Sequence, residues 1–559
     1  METIQKGPRL QFSMSRLKAN WFLPISLAAY LLLNMSRSKA YLAGIPVAIV
    51  IAILVAGYIP GFKQLVHQGN AMLKVFSFLS ALGYCWYGYQ NLYLLVVYKV
   101  SSTQRLKHLN PQLFIIPVAI CALMAVAFIY VVILSLFAYS GENFKKLKTF
   151  QGMPVYELVS YGVVFLCFSV FCICLFLRTD AFYNPGGGYS FPNVIYTSDS
   201  GILVRSNVYL NLAHPENDMR QPLFAVFATP FCALPYFLSC ILGNKLVFRA
   251  ILENIVQLAM LIFADFLLGK TLNLKPYNRV FFVLLLCVTY SQLLFSVTME
   301  QYIIVYFWLI ICIYTLCSAK YLDPLPLYGA AGTLLTSLIL LPFAVKKEGK
   351  KTEVVVWLRR ACAIGAGFIL VMLLFGRTDI FIHLKSSILR LSRFSGKAVS
   401  WKVKALQFIS FVRDIFIAPS TEVGVNYARH SALQLVNVQS LSLIGIALLL
   451  LTVLSAVLNR KDRICQLSAF WVVFSFFILF ILGWGTQENG LILYSLYFGW
   501  AYAILLFKLV IQLQDVIGLQ FIVPAVASCC FAVLLICNIP GISRMVAFAV
   551  HYYPLLRFY

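Results

Sequence analysis

The 559-residue chain is 61% hydrophobic and only 11% charged, with 44 Lys and Arg against 19 Asp and Glu. That balance excludes an ordinary soluble domain, where about a quarter of residues are charged. It also excludes a nucleic-acid partner despite the net charge of +25, because the cations fall in short clusters between apolar runs, the pattern of anchoring beside anionic membrane lipid.

Backbone amides in lipid must be satisfied within their own segment, and the apolar runs lack the short alternation of barrel strands. The expected fold class is therefore all-α, a polytopic transmembrane helical bundle of roughly 12 to 15 spans. Lys6, Arg9, Arg16 and Lys18 precede the first run at 21–35. No small-residue cleavage site precedes Arg37 and Lys39, so this reads as a retained helix with its amino end in the cytoplasm. Runs at 41–59, 72–98, 113–139 and 156–177 follow. Nearly all 15 Cys, including Cys167, Cys172, Cys174, Cys529 and Cys530, fall in such runs. They read as small buried hydrophobes, with no disulfide or zinc spacing.

The fifth run gives way to a polar island at 178–222, about 45 residues that hold Asp180, Asp199, Arg205, His214, Glu216, Asp218 and Arg220. With five spans before it, the island lies outside. Runs at 222–242, 249–268, 279–297, 302–317 and 325–345 then return the chain inside at Lys346, Lys347, Lys350 and Lys351. Arg460, Lys461 and Arg463 also fall inside by the same alternation. Simple alternation puts the connection 298–301, which carries Glu300, inside as well. To bring it outside, two segments must fail to cross. The pair indicated is 249–268, with Glu253 and Asp265, and 325–345, interrupted by Pro326, Gly329, Gly332 and Pro342. Lys270 and Arg249 are the partners at hand for the two acids.

After a run at 356–375, the segment 376–434 carries seven cations from Lys385 to Arg413 and no acid in that interval. Phe394, Ala398, Trp401, Ala405, Phe408 and Val412 recur at helical spacing, with Arg390, Arg393, Lys397 and Lys404 on an adjoining face. This predicts a basic amphipathic helix in the interface, its aromatic stripe in lipid and its cations facing phosphate. Runs at 435–458, 467–484, 491–512 and 518–538 close the chain, and no internal repeat is visible.

A carboxylate at the mouth of a membrane cavity can take the proton of an alcohol acceptor. Asp199, in Tyr196-Thr-Ser-Asp-Ser200, is the candidate base. Asp218 and Arg220 stand just before the next helix, where an acid also stabilises a helix N-terminus. Glu300 lies between two apolar runs, where an ionisable group is costly to bury. Tyr183, Tyr189 and Tyr196 offer aromatic faces for stacking on a ligand ring, while Gly186-Gly187-Gly188 lacks the following Lys and Ser or Thr of a phosphate loop. No metal site is indicated; Asp199, Glu216 and Asp218 would be the acids to hold a divalent cation if one were required.

With Asp199 in the long loop and Arg220-Gln221-Pro222-Leu223-Phe224 at the next helix start, the chain resembles the GT-C superfamily of integral membrane glycosyltransferases over about 155–375. Gln221 stands where relatives have a His, and four spans precede the usual first helix of the core. The resemblance implies a catalytic core at 155–375 with the outside loop 178–222; the apolar and charged runs divide the rest into N-terminal helices at 1–154, the basic segment 376–434, and C-terminal helices at 435–559.

The activity it implies is transfer of a sugar from a polyprenyl-phosphate-linked donor to a hydroxyl on a glycan, lipid or protein at the outer face of a prokaryotic plasma membrane. Asp199 would be catalytic. Asp218, Arg220, Glu300, Arg205, Arg393 and Lys397 would bind substrate, the cations neutralising the phosphate leaving group, with no cofactor and no metal. Two alternatives stay open: a polysaccharide polymerase or ligase that relies on Arg and His, and a lipid or solute transporter or flippase, which needs mid-membrane polar groups and broken helices.

Overall fold

The computed structural model describes residues 12–35, 39–59, 66–67, 69–103, 108–184, 195–196, 198, 200–318, 324–345, 354–392, 394–426 and 431–556. In chain order its helices are α1 (Met14–Ala19), α2 (Phe22–Leu33), α3 (Lys39–Ala56), α4 (Ala71–Ser102), α5 (Ile115–Lys146), α6 (Val155–Arg178), α7 (Ser200–Leu203), α8 (Phe224–Ile241) and α9 (Leu246–Thr271). Then come α10 (Pro276–Cys287), α11 (Tyr290–Val297), α12 (Tyr302–Ser318), α13 (Pro324–Thr333), α14 (Leu341–Val345), α15 (Val354–Leu374), α16 (Thr378–Ile382), α17 (Leu384–Ser392) and α18 (Trp401–Asp414). An antiparallel hairpin of β1 (Thr421–Asn426) and β2 (Ser431–Leu435) precedes α19 (Leu443–Leu458), α20 (Arg463–Ser475), α21 (Ser495–Ile517), α22 (Ile522–Ala547) and α23 (Tyr553–Leu556).

Eight helical segments among the described residues are long and apolar enough to cross a membrane, and α10 with α11 makes a ninth if the bent pair is one span. The chain is thus an almost entirely helical, multi-pass membrane protein. The strict count is below 12 to 15 because several apolar helices, α2 and α19 among them, have fewer than 18 residues. Cys172 is buried as expected, but Cys167, Cys174, Cys529 and Cys530 are exposed on helices whose outer faces are apolar.

The chain forms two compact units. The first comprises 1–146, 210–243 and 358–384; the second comprises 147–209, 244–357 and 385–559. In the first, Arg377 is 2% exposed and binds the chain ahead of α8. Its guanidinium donates to the carbonyls of Leu212 (3.1 Å), Asn217 (2.6 Å) and Pro222 (2.8 Å), and to Asp379. Asn34, at the end of α2, accepts from the Leu212 N–H (3.0 Å) and donates to the Tyr84 hydroxyl (2.5 Å).

In the second unit α6 and α9 run antiparallel. Lys270 near the end of α9 reaches the Gln151 carbonyl ahead of α6, and Arg279 of α10 forms a buried pair with Glu157 of α6. The segment 249–268, indicated as one that would fail to cross if 298–301 lay outside, is part of an unbroken 26-residue helix. The break falls one element later, where α10 and α11 meet at 67°. Thr289 sets it: its hydroxyl donates to the Leu286 carbonyl (2.7 Å), and its extended backbone starts α11 afresh. Protein covers the opened backbone, as lipid requires. Asn538 of α22 donates to Val288 (2.7 Å) and Phe416 (2.8 Å) carbonyls, and the Tyr290 and Ser291 N–H groups reach Phe416 and Ile415. The expected interruption of 325–345 is present, as α13, a 3-10 turn at Leu335–Leu340, and α14.

The single basic amphipathic helix expected in 376–434 is not formed. Two helices, α17 and α18, flank a turn, and Gly396 in that turn lies where a Cβ would come within 2.7 Å of the Gly483 carbonyl. Phe408 is buried against Phe411, Phe476 and Phe480 rather than in lipid. Lys404 is 6% exposed, its ammonium 4.7 Å from the Trp401 ring centroid, and so does not face bulk phosphate. Trp401 remains exposed.

Candidate functional site

The second unit gathers polar side chains where α6 ends and the island begins. Asn207, in the turn after α7, accepts from the Arg249 guanidinium in the first turn of α9, which fixes the start of α9 at the island end. One turn on, Glu253 accepts from Arg249 Nε (2.8 Å), both side chains buried. The neighbouring Asn254 donates to the Ser296 carbonyl at the end of α11 (2.9 Å), which also receives the Cys172 thiol of α6 (3.3 Å). Three residues further, the Met299 N–H donates to the Phe182 carbonyl (3.0 Å).

That last bond corrects the simple alternation. Residues 298–301 stand at the island end of α6, because the bent pair α10 and α11 carries the chain from the Arg279 end to the Phe182 end. Glu300 is 1% exposed there, with Thr298 and Gln301 also buried. On α9 and in 298–301 several buried polar atoms have no hydrogen-bond partner among the described residues: Glu253 Oε2, Asn254 Oδ1, both polar atoms of Gln257, Thr298 Oγ1 and Gln301 Oε1. Each such atom costs about 1–3 kcal/mol when nothing bonds it. Such atoms suit a polar ligand or ordered water.

Tyr196 ties the island to the same region. Its hydroxyl bonds to that of Tyr290 at the start of α11, and its N–H donates to Leu433 of β2 (2.9 Å). Its ring edge is thus engaged within the protein. Asp199, Tyr189, Gly186-Gly187-Gly188 and Arg393 lie outside the described residues. Arg205 and Lys397 belong to the second unit and are exposed.

Asp218 and Arg220 belong to the first unit. Arg220 Nε bonds both Asp218 oxygens at 3.1 Å, and its guanidinium lies 3.6 Å from Glu216. Asp218 also accepts the Arg220 N–H (2.8 Å). The N-cap of α8 is Leu223, with no side-chain cap. Asp218 therefore organises the turn before the helix rather than capping it. His214 Nδ1 accepts the Glu216 N–H (3.2 Å), so the imidazole is neutral on that nitrogen, and burial lowers its pKa to about 4.

Among the described residues no group of three or more His, Cys, Asp or Glu converges as a metal site. Of the lesser candidates, Glu253 takes Arg249, one of the two partners at hand. Asp265 takes neither Lys270 nor Arg249; its Oδ1 accepts from Gln292 (2.8 Å) and Tyr306 (2.7 Å). Beside Gln292 and Tyr306 is a cavity with room for about one water, roughly 10 Å³, also lined by Thr289, Ser495 and Trp500.

Sequence reasoning missed Arg377, whose three carbonyl partners lie more than 150 positions away. It also missed Gln257, one turn beyond Glu253 on the face of α9 that carries Arg249. No protein-family model, curated protein or solved structure matches this chain.

Proposed function

We propose that the chain is a GT-C-like membrane glycosyltransferase that moves a sugar from a polyprenyl-phosphate carrier to a hydroxyl acceptor on a glycan, lipid or protein. Asp199 takes the acceptor's proton, the acceptor oxygen attacks the anomeric carbon, and the bond from that carbon to the phosphate oxygen breaks, releasing polyprenyl phosphate. Positive charge developing at the sugar carbon is stabilised by a nearby carboxylate, the role given to Glu300. Arg205, Arg393 and Lys397 meet the phosphate.

The observation that supports this reading most is the Met299–Phe182 hydrogen bond, which brings the segment of Glu300 to the island end of α6. The unsatisfied polar atoms of Glu253, Asn254, Gln257, Thr298 and Gln301 add to it, since a polyhydroxylated ligand offers the donors and acceptors they lack. The direct test is transfer by purified protein from a labelled polyprenyl-phosphate sugar, with Asp199→Asn alongside. Loss of a general base lowers the rate by about two to four decades. Near-normal turnover by a folded Asp199→Asn protein removes Asp199 from this role.

A transporter or flippase is the second reading, favoured by the 67° break between α10 and α11 and by a buried acid, Asp265, inside a long apolar helix. Movement of a labelled lipid-linked sugar across a vesicle without transfer to any acceptor would select it.

A further inference from the structure

Asp265 sits in α9 with no exposed surface. Its Oδ1 receives two donors, Gln292 Nε2 at 2.8 Å from α11 and the Tyr306 hydroxyl at 2.7 Å from α12. Its Oδ2 has no hydrogen-bond partner among the described residues, and neither has Gln292 Oε1. Both orphans are acceptors, and they belong to two planar groups already joined along one edge. The charged side chains of neighbouring helices do not serve them: Arg249 is held by Glu253, and Arg279 by Glu157. The nearest ionisable groups are the Tyr306 phenol of α12 and the Cys287 thiol of α10, while α11 and α21 bring the neutral Gln292, Ser495 and Trp500.

An ionised carboxylate here would be a buried charge without a cation, which is strongly unfavourable. It would also leave two acceptor oxygens facing no donor. One proton resolves both: placed on Oδ2, it donates to Gln292 Oε1 and closes a two-bond ring between a carboxylic acid and an amide. We propose that Asp265 is a proton-binding site, holding a neutral acid whose proton fastens α11 to α9. The consequence reaches the candidate site, because α11 is the short arm beyond the helix break and leads directly into Thr298, Met299 and Glu300. Asp265 and Gln292 are thus positioning residues for that segment, whichever reaction it serves.

The test is infrared spectroscopy of the purified full-length protein at neutral pH, with isotopically labelled aspartate to identify the carbonyl stretch of a protonated acid. The expected result is one such band in the native protein, absent from Asp265→Asn and displaced in Gln292→Leu, where the acid has lost its acceptor. The two variants assign the band independently, so failure of one to fold leaves the other decisive. Asp265→Asn should also keep native thermal stability, since its amide N–H replaces the acid O–H toward Gln292. A native protein with no acid band, or a band unmoved by both substitutions, overturns the proposal. So does thermal stability that rises with sodium ion at constant ionic strength and loses that response in Asp265→Asn, which would put a cation in place of the proton.

Discussion

Met299 and Phe182 share a backbone hydrogen bond of 3.0 Å, although 117 positions separate them, from 299 − 182. The bond joins the connection after α11 to the chain leaving α6. It exists because α10 and α11 together span the distance that α9 covers alone, in the opposite sense. The polar ends of three helices consequently meet: Arg249 and Glu253 on α9, Ser296 on α11, and the start of the island.

Removing Asn538 should unfasten the break. Its side chain donates to the carbonyls of Val288 and Phe416 and accepts the Ala418 N–H at 2.7 Å. Asn538→Leu leaves the Val288 carbonyl and the Ala418 N–H unpaired, at about 1–3 kcal/mol for each, and leaves the Phe416 carbonyl with the Tyr290 N–H alone. We expect a lower unfolding midpoint in detergent and faster hydrogen exchange at 288–291, with α6 little changed.

Arg249→Met should destabilise the second unit by about 3–5 kcal/mol, because it strands the buried Glu253 carboxylate. The double variant Arg249→Met with Glu253→Met should recover most of that loss. Chemical denaturation of the four members of the cycle measures the coupling directly, and additive losses would contradict a direct ion pair.

Arg377→Lys should not rescue Arg377→Ala. The native side chain serves three carbonyls and Asp379 from a planar fork, which one ammonium cannot reproduce. Limited proteolysis should cut both variants within 211–222, where the native protein resists.

The His214 turn should weaken in acid. Its folded pKa of about 4 lies below the ordinary 6.5, so its contribution is fully present above the unfolded value and is lost as pH falls from about 6.5 toward 4. The cause is burial, with Nδ1 committed as acceptor to the Glu216 N–H. Hydrogen exchange at 214–217 should therefore accelerate over that window, and His214→Asn should flatten the response.

The helical class and most apolar elements were legible because lipid imposes long runs and forbids open backbone. Pro326, Gly329, Gly332 and Pro342 announced the interruption of 325–345. The break at Thr289 carried no such sign, since a single threonine in an apolar run leaves hydropathy nearly unchanged. Its stability comes from Asn538 and Phe416, far along the chain. The aromatic stripe of 394–412 suggested one helix, but Ser395 and Gly396 divide it because the Gly483 backbone approaches too closely for a side chain. At the candidate site, Arg249 was one of the two partners the sequence offered for Glu253, whereas the neighbours of Glu300 depend on the path of the bent pair. Arg377 was not legible, since its three distant partners are backbone carbonyls that any sequence would supply, and Asp379 two positions on gives no hint of them.

The central claim is that Glu300 acts at the island face on a lipid-linked sugar. The most direct measurement is single-turnover transfer from a labelled polyprenyl-phosphate sugar by purified Glu300→Gln, with donor binding and unfolding midpoint measured on the same preparation. The account predicts a rate loss of about two decades or more, as for removal of a group that stabilises developing charge, with donor affinity and fold largely retained. Transfer at the native rate by a folded Glu300→Gln protein would contradict it.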